Sequence, residues 1–192
     1  MTFRGRHVRN AAVLGCVAAL AAVVGPGARA AEPAAGGTQL RFEKNHADQT
    51  DSRLLLVDRR TGQVLKSYRA GSGTTQDACA SSRGWLPDGT YRVRFHATDY
   101  NAHNPRGRIF GYVLRIDDKR CRPDGTGTKR TELFVHSEMK PDGTQGTTEP
   151  QRWDGPSDYR SEGCVKLRPQ DIKDLFTTAS RTGWPTTLDV VG

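Results

Sequence analysis

From residue 39 to residue 136 this chain is built of short runs whose apolar residues recur at every second position or fill the run, and turn-forming clusters separate them. A period of two belongs to a strand with one face buried, so the pattern predicts strands and turns over most of the chain. Gln39–Lys44 alternates, and Arg53–Asp58 carries Leu54, Leu55, Leu56 and Val57 as a core strand. Arg59-Arg60-Thr61-Gly62 reads as a hairpin turn that returns through Gln63–Ala70. Gly89–Phe95, Arg108–Ile116 and Thr131–His136 are further strands, with Gly111 a candidate bulge; the stretch from Gly71 to Arg83 reads as a loop. The period changes to 3.6 in one place only. Pro169 opens a first turn, Asp171 suits its positive end, and Ile172, Leu175, Phe176 and Ala179 share one face before Gly183 stops the helix. Thr186–Val191 reads as a closing strand. The expected fold is mainly β, a sandwich or barrel with one principal helix after residue 164.

Pro-Asp-Gly-Thr occurs three times, starting at Pro87, Pro123 and Pro141. The spacings are unequal and the flanks do not match, so these read as three independent tight turns rather than a repeat. Proline presets the turn angle and glycine accepts positive φ.

The first thirty residues stand apart. Arg4, Arg6 and Arg9 form a basic start, Ala11–Val24 is an apolar run of fourteen residues, and Ala28-Arg29-Ala30 is a small-x-small site. Together they predict a signal peptide over residues 1–30, followed by an Ala/Pro/Gly linker over 31–38 and one domain over 39–192. The apolar run is shorter than the roughly 18 residues a membrane span needs, and it continues past Cys16, which argues against a lipidated cysteine. Without an Arg-Arg pair, general export is preferred to twin-arginine export. Removing Arg4, Arg6, Arg9 and Arg29, with no acid among the thirty, takes the net charge from +8 to +4. That mild basicity suits a polyanionic setting such as a cell wall; no Lys/Arg cluster interleaved with aromatics points to nucleic acid. The expectation is a secreted protein without stable membrane insertion.

Export implies an oxidising compartment, and the chain past residue 30 holds Cys79, Cys121 and Cys164. Cys79 and Cys121 both sit in polar, turn-rich contexts and are expected to pair. A bridge closing a loop of about 40 residues stabilises by about 3–4 kcal/mol in the chain-entropy picture. Cys164 is left as a free thiol, which in an exported protein is either buried and inert or reactive.

Its surroundings favour reactivity. Cys164 follows Ser161-Glu162-Gly163, and His136-Ser137 ends an apolar run twenty-eight residues earlier. A thiol with pKa near 8.5 needs a base, and a strand-end histidine can be one. Ser137 or a backbone carbonyl would orient the imidazole. Gly163 admits close approach, and the amides of Glu162, Gly163 and Cys164 could converge on an oxyanion. His96, Asp99 and His103 have metal-like spacing, but their segment reads as a loop, where spacing fixes no common face, so no metal is assigned. Trp153 lies in the long stretch between His136 and Ser161, as a lid residue or a loop anchor.

These residues resemble the signature of the L,D-transpeptidase catalytic domain, the YkuD-like family: a strand-end His followed by Gly or Ser, then Ser/Thr-His-Gly-Cys, an apolar residue and Arg or Asn. Here it stands as His136-Ser137 and Ser161-Glu162-Gly163-Cys164-Val165-Lys166. Leu86–Val93, the hairpin from Leu54 to Ala70 and the final helix and strand resemble the family's outer elements. Three departures are visible: Glu162 replaces the second His, Lys166 replaces Arg or Asn, and the loop after His136 is longer. A carboxylate beside the thiol would raise its pKa if close.

The resemblance implies acyl transfer on peptidoglycan tetrapeptide stems, giving cross-links or L,D-carboxypeptidase trimming. Cys164 would be the nucleophile, His136 the base and Ser137 its support, with Gly163 and Glu162 supplying backbone to the oxyanion. Ser161, Lys166 and Trp153 would meet substrate. It implies no cofactor and no metal, with carbapenem-type compounds as inhibitors. The alternative on the same scaffold is a non-catalytic wall-binding pseudoenzyme. A papain-like peptidase would place Cys before His, and no His follows Cys164; a zinc amidase would have to use His96 and His103.

Overall fold

The structure, a computed structural model, describes residue 2, residues 37–102 and residues 109–192. The expected signal peptide, most of the linker and His103 lie outside the described residues. Eight strands close into a barrel, and a two-stranded sheet hangs from it. In chain order the strands are β1 (Thr38–Glu43), β2 (Ser52–Asp58), β3 (Val64–Ser72), β4 (Gly89–Asn101), β5 (Phe110–Ile116), β6 (Lys119–Arg120), β7 (Lys129–Arg130), β8 (Phe134–His136), β9 (Val165–Lys166) and β10 (Thr187–Val191). The helix α1 spans Pro169–Thr182. Around the barrel the order is β1-β10-β4-β5-β8-β9-β3-β2, while β6 pairs only with β7. Two neighbours run parallel, β1 with β10 and β8 with β9.

The alternation in the sequence becomes the inside–outside alternation of the barrel. Leu40, Phe42, Leu54, Leu56, Tyr91, Leu114, Ile116, Val135, Val165 and Leu188 meet in one core, and Ile172, Leu175 and Phe176 of α1 add to it. Pro169 occupies the first turn of α1, Arg168 ion-pairs with Asp171 at 3.0 Å, and Gly183 ends the helix at φ 96°.

Three local readings change. The segment after Phe95 continues as strand to Asn101, so β4 pairs with β10 through its first residues and with β5 through the rest. His96 stacks on Trp184 at 3.5 Å between ring centroids. The expected strand from Thr131 starts only at Phe134, because Glu132 adopts a left-handed conformation at φ 54°. Two of the Pro-Asp-Gly-Thr turns are the same local device: Asp124 and Asp142 each accept from the amide and hydroxyl of the threonine two residues on. The third instead leads into β4.

Candidate active site

Strand register brings His136 and Cys164 onto one face. Val135 pairs with Val165 and His136 with Lys166 in the parallel β8–β9 ladder. Val135 and Val165 point into the core, so Phe134, His136, Cys164 and Lys166 project from the opposite face. Cys164 packs there with Val113 and Phe134, bordered by Ala97, Tyr100 and Ile109. His136 and Cys164 are diagonal neighbours, with Cα positions about 8 Å apart from strand spacing and rise. Both line one cleft of about 1210 Å³, together with Arg83, Arg130, Glu132 and Glu162.

His136 is 4 % exposed, and its Nδ1 lies 3.0 Å from the carbonyl oxygen of Ser137. A carbonyl only accepts, so Nδ1 carries the proton and Nε2 keeps its lone pair. The backbone of Ser137 therefore orients the imidazole; its own hydroxyl is buried without a partner. Burial holds the imidazole far below its ordinary value, at about 3, and the Lys166 ammonium acts in the same direction.

Cys164 is free and 8 % exposed. Its thiol donates at 3.6 Å to the carbonyl of Glu132, the residue in the left-handed conformation. Burial raises the thiol to about 11, against the Phe134 amide and the charges of Lys166 and Arg115. Glu162 also raises it, but is the least of the five causes. The Glu162 residue, which stands where the family has histidine, is exposed and lines the same cleft as the thiol. At neutral pH the resting pair is a thiol and a neutral imidazole.

The turn that delivers Cys164 is held from both sides. Ser161 Oγ accepts from the amides of Gly73 and Gly163, both at 3.0 Å, and donates to the Cys164 carbonyl at 2.6 Å. Ser72 Oγ donates to the Gly163 carbonyl at 3.1 Å. Gly163 has φ 121°, and a Cβ there would run into the Arg130 guanidinium. Two expectations change accordingly. The Gly163 amide is committed to Ser161 and is not an oxyanion donor in this arrangement, and the Ser161 hydroxyl is spent on backbone rather than left for substrate.

The family model of YkuD, the L,D-transpeptidase catalytic domain, matches residues 46–187. The chain belongs to this family. Among curated proteins no sequence matches. Solved structures with a similar fold include Bd1075 from Bdellovibrio bacteriovorus, 13 % identical over 80 % of this chain and 47 % of that one, with TM-score 0.46. The helical cell shape determining protein Pgp2 from Campylobacter jejuni is likewise 13 % identical over 80 % of this chain and 48 % of its own, with TM-score 0.47. This chain spans about half the length of both.

The YkuD domain described here carries its Lys166 differently from a free substrate contact. Lys166 is 7 % exposed and ion-paired with Glu138, itself 6 % exposed. Burial raises the Glu138 carboxyl to about 7; Lys166 opposes that and Glu149 reinforces it. Glu138, Glu149 and Asp158 bring ligand atoms within 4.8 Å of one another. A cation there would compete with the Lys166 ammonium on Glu138 and the Arg152 guanidinium on Glu149. Asp158 meanwhile caps the short helical turn at Pro156–Tyr159 by accepting from the Asp154 and Gly155 amides.

Trp153 does not line the cleft. Its indole packs edge-on against Tyr159 at 4.8 Å, and its amide donates to Gln145, whose side chain also bonds the Glu138 carbonyl. It anchors the long loop. The expected Cys79–Cys121 bridge is present. Arg130 and Glu138 carried no signal in the sequence, where an arginine in Lys129-Arg130-Thr131 and an acid after Ser137 read as surface.

Proposed function

We propose that this YkuD domain is a cysteine acyltransferase acting on peptidoglycan stem peptides, an L,D-transpeptidase or L,D-carboxypeptidase. The observation that carries the reading is the shared face of Cys164 and His136 in one cleft, with Nε2 of His136 left as the only basic nitrogen of the ring. Because the resting pair is neutral, proton transfer accompanies attack. The Cys164 sulfur bonds to the carbonyl carbon of the stem's L,D peptide bond while its proton passes to His136 Nε2. The C–N bond then breaks as His136 returns that proton to the leaving amine, which leaves a thioester. An amine of a second stem, or water, attacks the thioester, gives its proton to His136 and releases Cys164 as the thiol. With the Gly163 amide engaged by Ser161, the amides of Glu162 and Cys164 are the turn's remaining donors for the oxyanion.

Export of the domain to the cell wall, after cleavage at residue 30, is part of this reading. The Cys79–Cys121 bridge supports it, and no helix among the described residues is long and apolar enough to cross a membrane. A second reading, a wall-binding domain without catalysis, is favoured by one observation, the depth at which Cys164 and His136 are buried.

Incubation with a carbapenem followed by intact-mass measurement separates the two. One covalent adduct that disappears in Cys164→Ala supports the enzyme. An unmodified protein whose thiol also resists iodoacetamide at neutral pH leaves only the binding domain.

A further inference from the structure

Glu138 lines the cleft that holds Cys164, and one oxygen of its buried carboxylate has no partner. The residue is 6 % exposed. Its Oε1 is held by the Lys166 ammonium, and its Oε2 meets no hydrogen-bond donor among the described residues. A carboxylate oxygen left bare at that depth is costly, so such a group marks a place where a donor from outside belongs.

Two more carboxylates converge on it. Glu149, exposed and lining the same cleft, and Asp158, buried, have ligand atoms within 4.8 Å of one another and of Glu138. Each of the three is engaged on one side. Lys166 holds Glu138 Oε1, Arg152 holds Glu149 Oε1 at 3.1 Å, and the Asp154 and Gly155 amides hold Asp158 Oδ2. One oxygen of each carboxylate lies outside these contacts, so an incoming cation shares the carboxylates with Lys166 and Arg152 rather than displacing them. Three acids against those two cations leave a negative charge uncancelled when all are ionised. Three ligand atoms at this spacing surround a point no more than about 2.8 Å from each, which is the length of an N–H···O bond from an ammonium to a carboxylate.

Along the β8–β9 ladder, His136 lies between this pocket and Cys164. Lys166 is level with His136, Cys164 precedes Lys166 by two residues, and Glu138 follows His136 by two. In acyl transfer His136 Nε2 gives a proton to the leaving amine and takes one from the attacking amine, so both pass on the His136 side of the sulfur. An alkylamine is an ammonium ion at neutral pH, and it meets these carboxylates on that side. Burial raises the Glu138 carboxyl to about 7, and Glu149 adds to the rise. A cation set between the two carboxylates takes the place of that proton.

We propose that Glu138, with Glu149 and Asp158, forms an ammonium subsite for the acyl acceptor, so that the domain transfers its acyl group to amines in preference to water. The role in transfer rests on reading Cys164 as the nucleophile and His136 as its base; the binding of an ammonium ion at Glu138 does not. The bound ammonium donates to Glu138 Oε2 while Lys166 stays on Oε1. It releases one proton to solvent as it moves on to the thioester, which it attacks as the neutral amine.

Butylammonium chloride is the probe, titrated into the whole folded chain at about pH 7.5 and constant ionic strength, with binding read from protein NMR shifts. Wild type should bind it saturably. 1-Butanol, its neutral analogue, should bind about tenfold more weakly or worse, and Glu138→Gln should weaken butylammonium by about tenfold or more. Absent saturation, equal binding by wild type and Glu138→Gln, or 1-butanol binding as well as butylammonium overturns the subsite. Calcium chloride titrated in the same way tests the pocket as a metal site: calcium that binds more tightly than butylammonium, and loses its binding in Glu138→Gln, overturns the assignment to an amine. If Glu138→Gln does not fold, Glu149→Gln, at the exposed member, takes its place under the same criterion. With butylamine as acceptor, the ratio of transfer to hydrolysis should fall about tenfold in Glu138→Gln, and an unchanged ratio overturns the role in acceptor choice. A chain that binds butylammonium through Glu138 but forms no carbapenem adduct keeps the subsite and loses the acyl transfer.

Discussion

Lys166 and Glu138 form a buried ion pair around His136: Lys166 faces the histidine across the β8–β9 ladder, and Glu138 lies two residues beyond it on the chain. Breaking one partner of a buried pair costs about 3–5 kcal/mol, whereas replacing both by apolar groups of similar size is often neutral. Lys166→Met should therefore lower the urea midpoint strongly, and Lys166→Met combined with Glu138→Leu should recover most of the loss. Equal destabilisation in the single and double variants would count against a coupled pair.

The same pair gives stability a pH dependence. Folding raises the Glu138 carboxyl from 4.5 to about 7. Across that interval the folded chain holds a proton that the unfolded chain has released. The contribution is thus complete below the unfolded value and is lost as pH rises through about 7. Unfolding free energies measured between about pH 5 and about pH 7.5 should fall with pH more steeply in wild type than in Glu138→Gln.

Reactivity should depend on pH in an unusual way for a Cys–His site. With His136 at about 3 and Cys164 at about 11, the imidazole stays neutral and thiolate grows tenfold per pH unit through the neutral range. The logarithm of the alkylation rate should rise with unit slope from about pH 6 to about pH 9. A plateau beginning near pH 6–7 would instead reveal a preformed thiolate–imidazolium pair.

Ser161 bonds the backbone at three places, so Ser161→Ala leaves the Gly73 and Gly163 amides and the Cys164 carbonyl without that partner. Two buried donors left unmet cost about 1–3 kcal/mol each. The variant should lose about 2–6 kcal/mol in denaturant and acylate slowly even where it remains folded. A stable variant with a raised KM and unchanged kcat would make Ser161 a substrate contact after all.

Trp153→Ala discriminates anchor from lid. Loss of the packing on Tyr159 should lower stability by about 1–3 kcal/mol while leaving the KM for a stem peptide within about twofold. A KM raised tenfold with unchanged stability would restore the lid.

The barrel was legible because most of its strands bury one face, which writes period two into residues 39–116, and because α1 buries Ile172, Leu175, Phe176 and Ala179 in one stripe. What escaped is too short or too local to leave a period. β6, β7 and β9 have two residues each. Glu132 breaks its strand through a turn that no glycine announces. Cys164 and His136 could be singled out as candidates from residue type and chain order, and the Cys79–Cys121 bridge read from context. Which amides of the turn stay free could not be read, because Ser161 captures the Gly163 amide through geometry alone. Arg130 was hidden for a related reason: its partners are carbonyls, which every residue possesses and no sequence motif marks.

The barrel closes because β1 pairs with both β2 and β10. Closure is uneven, because β3 pairs with β2 along most of its length but meets β9 only at Gly71 and Ser72. Residues 64–70 of β3 therefore have a strand neighbour on one side only among the described strands, and a row of backbone groups of that kind is where an extended peptide can add a strand.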